Sequence, residues 1–437
     1  MIDENSNSVS EPVGFEQLGI SPKILAVLTA AGFKTPTPIQ ARAIPVALTG
    51  KDIVGIAQTG TGKTIAFAVP MLQQLARQGG QGLVVLPTRE LALQVDEEYK
   101  KLAKRFGLRT AVLIGGASIH VQKEQLARRP HVMVATPGRL IDHLEQRSVS
   151  LDQVRVLVLD EADRMFDMGF APQIKKIMDR MPEERQTLLF SATMPDEIER
   201  LAHKYMRDQE RIEVARSGTA SELVEQSLFV VPKPDKIRLL KYLLREEKGT
   251  ALVFSRTKFG AKRIARDLVR AGESAAEIHS NLSLAQRRKA LDGFKKGEYR
   301  VLVATDIAAR GIDVTGISLV VNYDLPEQAE DYIHRIGRTG RAERTGKAIA
   351  FAEPDQGLLV TGIEYLTQVH LKPVPLPIEP SVPLERPSTL SNKRKPQRGH
   401  GGGGPMRGRR PGGGGRGRGS GGAGGRGPSR GPARRRR

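Results

Sequence analysis

Short runs of aliphatic residues alternate with longer amphipathic stretches along most of this chain. DIVGIA (52–57), GLVVLP (82–87), TAVLIG (110–115), HVMVAT (131–136), VRVLVLD (154–160) and TLLFSAT (187–193) read as strands buried on both faces. Between them lie segments such as ELALQVDEEYKKLAKRF, where Leu91, Val95, Tyr99 and Leu102 recur at helical spacing. From about Gly50 to Ala215 this alternation predicts an α/β unit with a parallel sheet covered on both faces. A polar stretch, ARSGTASELVEQ (215–226), interrupts it. The pattern resumes with SLFVV, TALVFS (250–255), AAEIHS (275–280), YRVLVAT (299–305), ISLVVNY (317–323) and GKAIAFA (346–352), a second α/β unit reaching about residue 370. The expected organisation is a flexible start at 1–13, a first domain at 14–215, a linker at 216–226, a second domain at 227–370 and a tail at 371–437.

The tail changes character twice. From Pro373 the sequence KPVPLPIEPSVPLERP predicts an extended linker. Beyond Ser391 the chain is mostly Gly, Arg and Pro without an aromatic residue, so it cannot bury enough apolar surface to offset its ordering entropy, and disorder is expected. Charge follows the same division. The whole chain carries +21, but 391–437 holds 15 Lys and Arg and no acid, which leaves +6 on the other 390 residues. A basic tail on a near-balanced body points to a polyanionic partner; a merely solubilising tail is the alternative. Cys is absent, which excludes disulfides, thiolate metal sites and a Cys nucleophile. The polar start MIDENSNSVSEP lacks an apolar signal core, and no apolar run approaches the ~20 residues of a membrane helix. A soluble, cytoplasmic protein is expected.

Two motifs bring chemistry. AQTGTGKT (57–64) lies between a strand and a helix, the context of a phosphate-binding loop. Gly60 and Gly62 would let backbone N–H groups approach phosphates, aided by the helix N-terminus. Lys63 would reach the β- and γ-phosphates and the Thr64 hydroxyl would ligate Mg²⁺. The general pattern starts with Gly, where Ala57 stands here. DEAD (160–163) ends the run VRVLVL. Asp160 would hold Mg²⁺, largely through water, and Glu161 is placed to orient and deprotonate an attacking water.

With these residues in view, the chain resembles the DEAD-box ATP-dependent RNA helicases over about residues 13–370, in detail most like the bacterial RhlE-like branch. The resemblance implies two tandem RecA-like P-loop domains with parallel sheets. It accounts for Ala57, since the family's loop is led by alanine; Gln58, Thr59 and Thr61 complete the loop. GFKTPTPIQ (32–40), with Phe15 upstream, looks like the family's adenine-reading segment, so Gln40 would hydrogen-bond adenine and Phe15 would stack on it. PTRELA (87–92), Gly115–Gly116 and TPGR (136–139) match segments that grip RNA, implicating Pro87, Thr88, Arg89, Gly116, Thr136, Gly138 and Arg139. Ser191 and Thr193 of SAT would contact the DEAD segment and, with Asp163, help couple hydrolysis to strand separation.

In the second half, VFSRT (253–257) puts Arg256 near the RNA or the interdomain cleft, and ATDIAARGID (304–313) places Thr305 on RNA and Asp313 on the ribose. HRIGRTGR (334–341) would supply Arg338 and Arg341 as arginine fingers, with His334 and Arg335 bridging motifs across the cleft. One departure stands out: Leu284 occupies the place of a family Gln three residues before Arg287.

The resemblance implies RNA-stimulated ATP hydrolysis with Mg²⁺. Domain closure would pry open short RNA duplexes locally, without processive travel, and the Gly/Arg tail would add non-specific RNA affinity. A DNA helicase or translocase, or an ATP-gated RNA clamp or annealing chaperone, are the competing readings at this level.

Overall fold

The computed structural model describes residues 14–58, 60–214, 224–309, 316–340 and 345–381. Two parallel sheets organise the described residues. In the first, β1 (Ile53–Ile56), β2 (Gln81–Val85), β3 (Thr110–Leu113), β4 (Val132–Ala135), β5 (Val154–Asp160), β6 (Gln186–Ser191) and β7 (Glu210–Glu213) take the order β3-β4-β2-β5-β6-β1-β7. In the second, β8 (Val224–Val230), β9 (Ala251–Phe254), β10 (Ala275–Ile278), β11 (Val301–Ala304), β12 (Leu319–Asn322) and β13 (Gly346–Ala352) take the order β10-β11-β9-β12-β13-β8. Both lie within one compact body. Each is a RecA-like α/β domain, and the two stand in tandem.

The central strands are buried along their whole length because helices cover both faces, which is why they read as unbroken apolar runs. Each sheet therefore sits between two apolar layers. In the first domain Val84, Val158 and Phe190 pack on one side, and Val85, Leu159 and Leu189 on the other.

Strand order positions the chemistry. In a parallel sheet, ligand-binding loops cluster beyond the carboxyl ends of the strands. The neighbours β5, β6 and β1 thus bring the end of DEAD's strand, the SAT segment and the 57–62 loop side by side. In the second sheet, β11, β9 and β12 bring Thr305, Arg256 and Asp324 to one edge.

The edge strand β7 carries no sequence signal, since ERIE buries only Ile212 and lacks an apolar run, and two expectations are corrected. The polar pattern extends the linker through residue 226, but Val224–Gln226 already pair with Gly346–Ala348 as the start of β8, an edge strand whose partly polar sequence hides it. The Pro-rich composition predicts a free tail from residue 371, yet residues 371–381 dock on the second domain. Leu371 is buried, Pro373 bridges Leu228, Leu376 and Ile378 pack on the core, and the Ser381 N–H donates to Asp235. Apolar side chains between prolines make this docking cheap, because proline has already surrendered backbone freedom. No helix among the described residues is long and apolar enough to cross a membrane. The 391–437 tail lies outside the described residues.

Candidate functional site

The loop after β1 is shaped by residues that sequence alone had assigned to the ligand. Gly62 adopts φ +87°, and a Cβ there would sit 2.4 Å from Gln40 Nε2, so only glycine fits. Gln40, expected to read adenine, is buried with its amide bound by protein on both sides. Its Oε1 accepts from the Thr37 N–H at 2.9 Å, and its Nε2 donates to the Gly62 carbonyl at 3.0 Å. Thr37 Oγ1 donates to the Thr61 carbonyl at 2.7 Å, and Thr61 Oγ1 to that of Gln58 at 2.7 Å. The adenine segment and the phosphate loop are thus one hydrogen-bonded unit. A primary amide has two acceptor sites and two N–H groups, so one of each remains on Gln40 for a base. Phe15 departs from expectation more sharply: only 2% exposed within the core, it offers no free ring face for stacking in this structure. Thr59 lies outside the described residues.

Lys63 and the acidic strand end face each other. Lys63, buried, donates to the Ala57 carbonyl at 3.0 Å and stands 3.9 Å from Asp160 Oδ1. Burial pushes the Asp160 carboxyl up to about 6 against the pull of Lys63. Glu161 has φ +54°, which turns the chain sharply at the end of β5. Burial raises its pKa, but Arg164, Lys63 and Arg338 together outweigh this and hold it below the usual carboxylate range. Arg164, unforeseen in the sequence, forms a short buried ion pair with Glu161 one helical turn away.

Asp163 links DEAD to SAT as expected. Its Oδ2 accepts from Ala192 N at 3.1 Å, Thr193 N at 2.9 Å and Thr193 Oγ1 at 3.1 Å. In return the Asp163 N–H donates to Ser191 Oγ at 3.1 Å.

Mg²⁺ binding was expected at Thr64 and Asp160. Asp160 is a hard oxygen donor on the loop side of the sheet, and Thr64 is partly open beside Lys63. Among the described residues no cluster of three or more acidic or His side chains could hold a cation unaided. A lone carboxylate and a hydroxyl fit an ion that keeps several waters and takes further oxygens from substrate phosphates.

Across the cleft the second domain presents arginines. Arg338 is 3% exposed, its Nε donates to the His334 carbonyl at 3.3 Å, and its charge acts on Glu161 of the first domain. A narrow cleft is lined by Arg164 from the first domain and by His334, Arg335 and Arg338 from the second. Arg335, expected to bridge across the cleft, has its hydrogen-bond partners among the described residues within the second domain. It is buried over the Phe254 ring and grips Asp306 with two nitrogens, one of them 2.7 Å from Oδ2; it also donates to Asn322 Oδ1 at 2.9 Å and to the Asp324 carbonyl at 2.7 Å. Its bonds tie the second domain's own segments together. Arg341 and Asp313 lie outside the described residues.

The residues expected on RNA divide by exposure. Gly116, Gly138 and Arg256 are exposed, and Arg89 and Arg139 partly so. Pro87, Thr88, Thr136 and Thr305 are buried, and Thr88 Oγ1 accepts from Leu91 N at 3.3 Å. Arg89 lies over the Gly115–Gly116 turn, where a Cβ on Gly116 would meet its Nη1 at 2.3 Å. Arg139 donates to the Ala117 carbonyl at 3.1 Å. Beneath TPGR, His143 hydrogen-bonds Gln122 at 3.1 Å and Ser148 at 2.7 Å, a buried cluster with no signal in sequence. Burial, helped by Arg139 and Lys123, pushes the His143 pKa down. On the second domain the Arg256 N–H donates to Asp324 Oδ2 at 3.0 Å, which fixes the loop after β9.

The domains also meet on this face. Arg287 Nη2 lies 3.0 Å from Glu90 Oε1, Arg288 pairs with Glu97 at 3.8 Å, and Leu284 packs against the first domain's core.

Fold and site define a class, the tandem RecA-like proteins that bury a loop lysine beside acids on one domain and face it with arginines from the next. Residues 37–201 match the DEAD/DEAH box helicase family, and residues 235–343 match the helicase conserved C-terminal domain. The chain is 43% identical over 366 residues to a Listeria monocytogenes protein named ATP-dependent RNA helicase CshA, covering 83% of this chain and 70% of that protein. Two of the solved structures that resemble this chain are each 29% identical to it. S. cerevisiae Dbp5 bound to RNA and ADP BeF3 gives a TM-score of 0.76 over 83% of this chain and 96% of that one. Mss116p bound to ssRNA and AMP-PNP gives 0.77 over 83% and 79%. The chain belongs to the DEAD/DEAH box helicase family.

Proposed function

We propose that this protein is an ATP-dependent RNA helicase whose hydrolytic site is completed only when its two domains meet. The observation that carries this is the narrow cleft in which Arg338 of the second domain, itself buried, lines one side and Arg164, paired with Glu161 of the first, lines the other. Lys63 binds the β- and γ-phosphates, Gln40 reads adenine with its remaining acceptor and N–H, and Glu161 orients and deprotonates the attacking water. Bound with the nucleotide at Asp160 and Thr64, Mg²⁺ would neutralise charge on the phosphoryl oxygens. Arg338 and Arg341 stabilise charge developing on the transferred phosphoryl group, an effect worth ~10³–10⁵ in turnover.

RNA as substrate is supported by the relatives' names, by the RNA in the Dbp5 and Mss116p structures, and by the exposed or partly exposed Arg89, Gly116, Gly138, Arg139 and Arg256. ATP and a strand each favour the closed pair of domains, so each tightens the other. Closure on a single strand separates short duplexes locally, and loss of the γ-phosphate reopens the cleft. The basic 391–437 segment adds non-specific RNA affinity in this reading, and the cytoplasm is its place of action. Within the family, FEQLGISPKIL, GIAQTGTGKT and the Gly/Arg-rich end support the RhlE-like branch, whereas the relative compared above carries the name CshA. A tree containing both groups tests that placement.

ATP turnover measured with RNA and with DNA of one sequence tests the substrate. RNA should stimulate turnover strongly and DNA weakly; equal stimulation would replace the RNA reading with a general translocase.

A further inference from the structure

The Lys258–Val269 helix leaves the carboxyl end of β9 immediately after Arg256 and Thr257. It buries Ala261, Ile264, Ala265 and Leu268 against the sheet, while Phe259, Lys262, Arg263 and Arg266 stand exposed at helical spacing on the opposite face. Phe259 is 72% exposed. One exposed apolar side chain is ordinary on a protein surface. Its surroundings set this one apart.

Lys258 Nζ lies 5.3 Å from the Phe259 ring centroid, and Asn281 Oδ1 accepts from the same ammonium at 3.0 Å. Ring and cation are therefore presented together. The helix start beneath them is pinned: Thr257 Oγ1 accepts from Gly260 N at 2.9 Å, and a Cβ on Gly260 would meet Ser255 Oγ at 2.4 Å. Behind the ring runs a basic stripe. Among the described residues no acidic side chain forms an ion pair with Lys262 or Arg263, and Arg266 meets only Asp267, at 3.8 Å. The patch also adjoins the RNA face. Arg256 precedes it, and the Asn281 loop leads into the helix whose Arg287 reaches Glu90 of the first domain.

Aromatic ring, fixed cation and unpaired arginine suit a ligand with flat π-faces and regularly spaced phosphates. We propose that Phe259 and Lys258 form a stacking platform for an RNA base just outside the strand gripped between the domains, with Lys262 and Arg263 tracking the adjoining phosphates. Stacking needs no particular base, so the platform would hold strands of any sequence. The platform rests on the RNA reading above and extends its footprint along the second domain.

The test uses the full chain, a non-hydrolysable ATP analogue and RNA oligonucleotides carrying 2-aminopurine at successive positions. Wild type should perturb the fluorescence of one position flanking the gripped strand, and Phe259→Ala should abolish that signal and weaken RNA binding about ten-fold. Phe259→Trp should keep both, whereas Phe259→Leu, apolar but not aromatic, should not. RNA-independent ATP turnover should be the same in all four proteins. Binding by Phe259→Leu as tight as wild type, or a fluorescence profile indifferent to residue 259, would overturn the platform and leave the helicase reading standing. Failure of wild type to bind the oligonucleotides at all would overturn the RNA reading and the platform with it.

Discussion

Arg287 of the second domain and Glu90 of the first form an ion pair of 3.0 Å, with both side chains more than nine-tenths buried. Glu90 follows Arg89 directly, so this contact joins the domains at the edge of the proposed RNA face. Removing one member of such a pair leaves a buried charge uncompensated.

Arg287→Ala should therefore loosen the closed arrangement. The RNA concentration that half-saturates ATP turnover should rise about ten-fold or more, with ATP binding to the first domain unchanged. Exchanging the pair (Glu90→Arg with Arg287→Glu) should recover part of the loss. Normal RNA saturation in Arg287→Ala would show that the contact does not report on closure.

Lys63 and Glu161 sit in one buried cluster but take different parts. Lys63→Ala should abolish ATP binding, measured with a fluorescent nucleotide. Glu161→Gln should keep binding and accumulate a complex with RNA and ATP that dissociates more slowly than that of wild type. Rapid RNA release from Glu161→Gln in saturating ATP would contradict the role given to Glu161.

Arg335 holds the second domain together through Asp306, Asn322 and Asp324. Lysine cannot reproduce a two-nitrogen grip on Asp306. Arg335→Ala should destabilise the second domain by about 3–5 kcal/mol, the usual cost of orphaning a buried charge. Arg335→Lys should fall between it and wild type in denaturant unfolding. An unchanged unfolding midpoint in Arg335→Ala would remove the structural role.

How far the sequence could be read depended on the kind of force involved. The central strands and the loop around Lys63 were legible, since burial on both faces and close phosphate approach each leave a local pattern. The edges were not: β7 and the start of β8 are half-solvated and polar, and pairing with a neighbour makes them strands. The docked segment around Pro373 was hidden because proline-rich sequence reads as linker whether or not it packs. Within the site, single residues such as Asp163 were recovered from the family resemblance. Arg164, Asp306 and His143 were missed because their meaning lies in partners brought together by the sheet. Gln40 shows the remaining limit, since a side chain assigned wholly to the ligand also builds the loop that receives it.

The basic end of the chain makes a separate prediction. For single strands the log–log salt slope of binding is about −0.7 per phosphate neutralised. Deleting 391–437, with its 15 Lys and Arg, should flatten that slope and weaken RNA binding while leaving RNA-independent ATP turnover nearly unchanged. An unchanged slope would assign the segment to another partner.

The most direct measurement is single-turnover ATP hydrolysis by Arg338→Ala at saturating RNA. The account predicts ATP and RNA affinities within a few-fold of wild type and a hydrolysis rate lower by ~10³ or more. A rate within a few-fold of wild type would show that the second domain's arginine takes no part in cleavage, and the shared site would have to be given up.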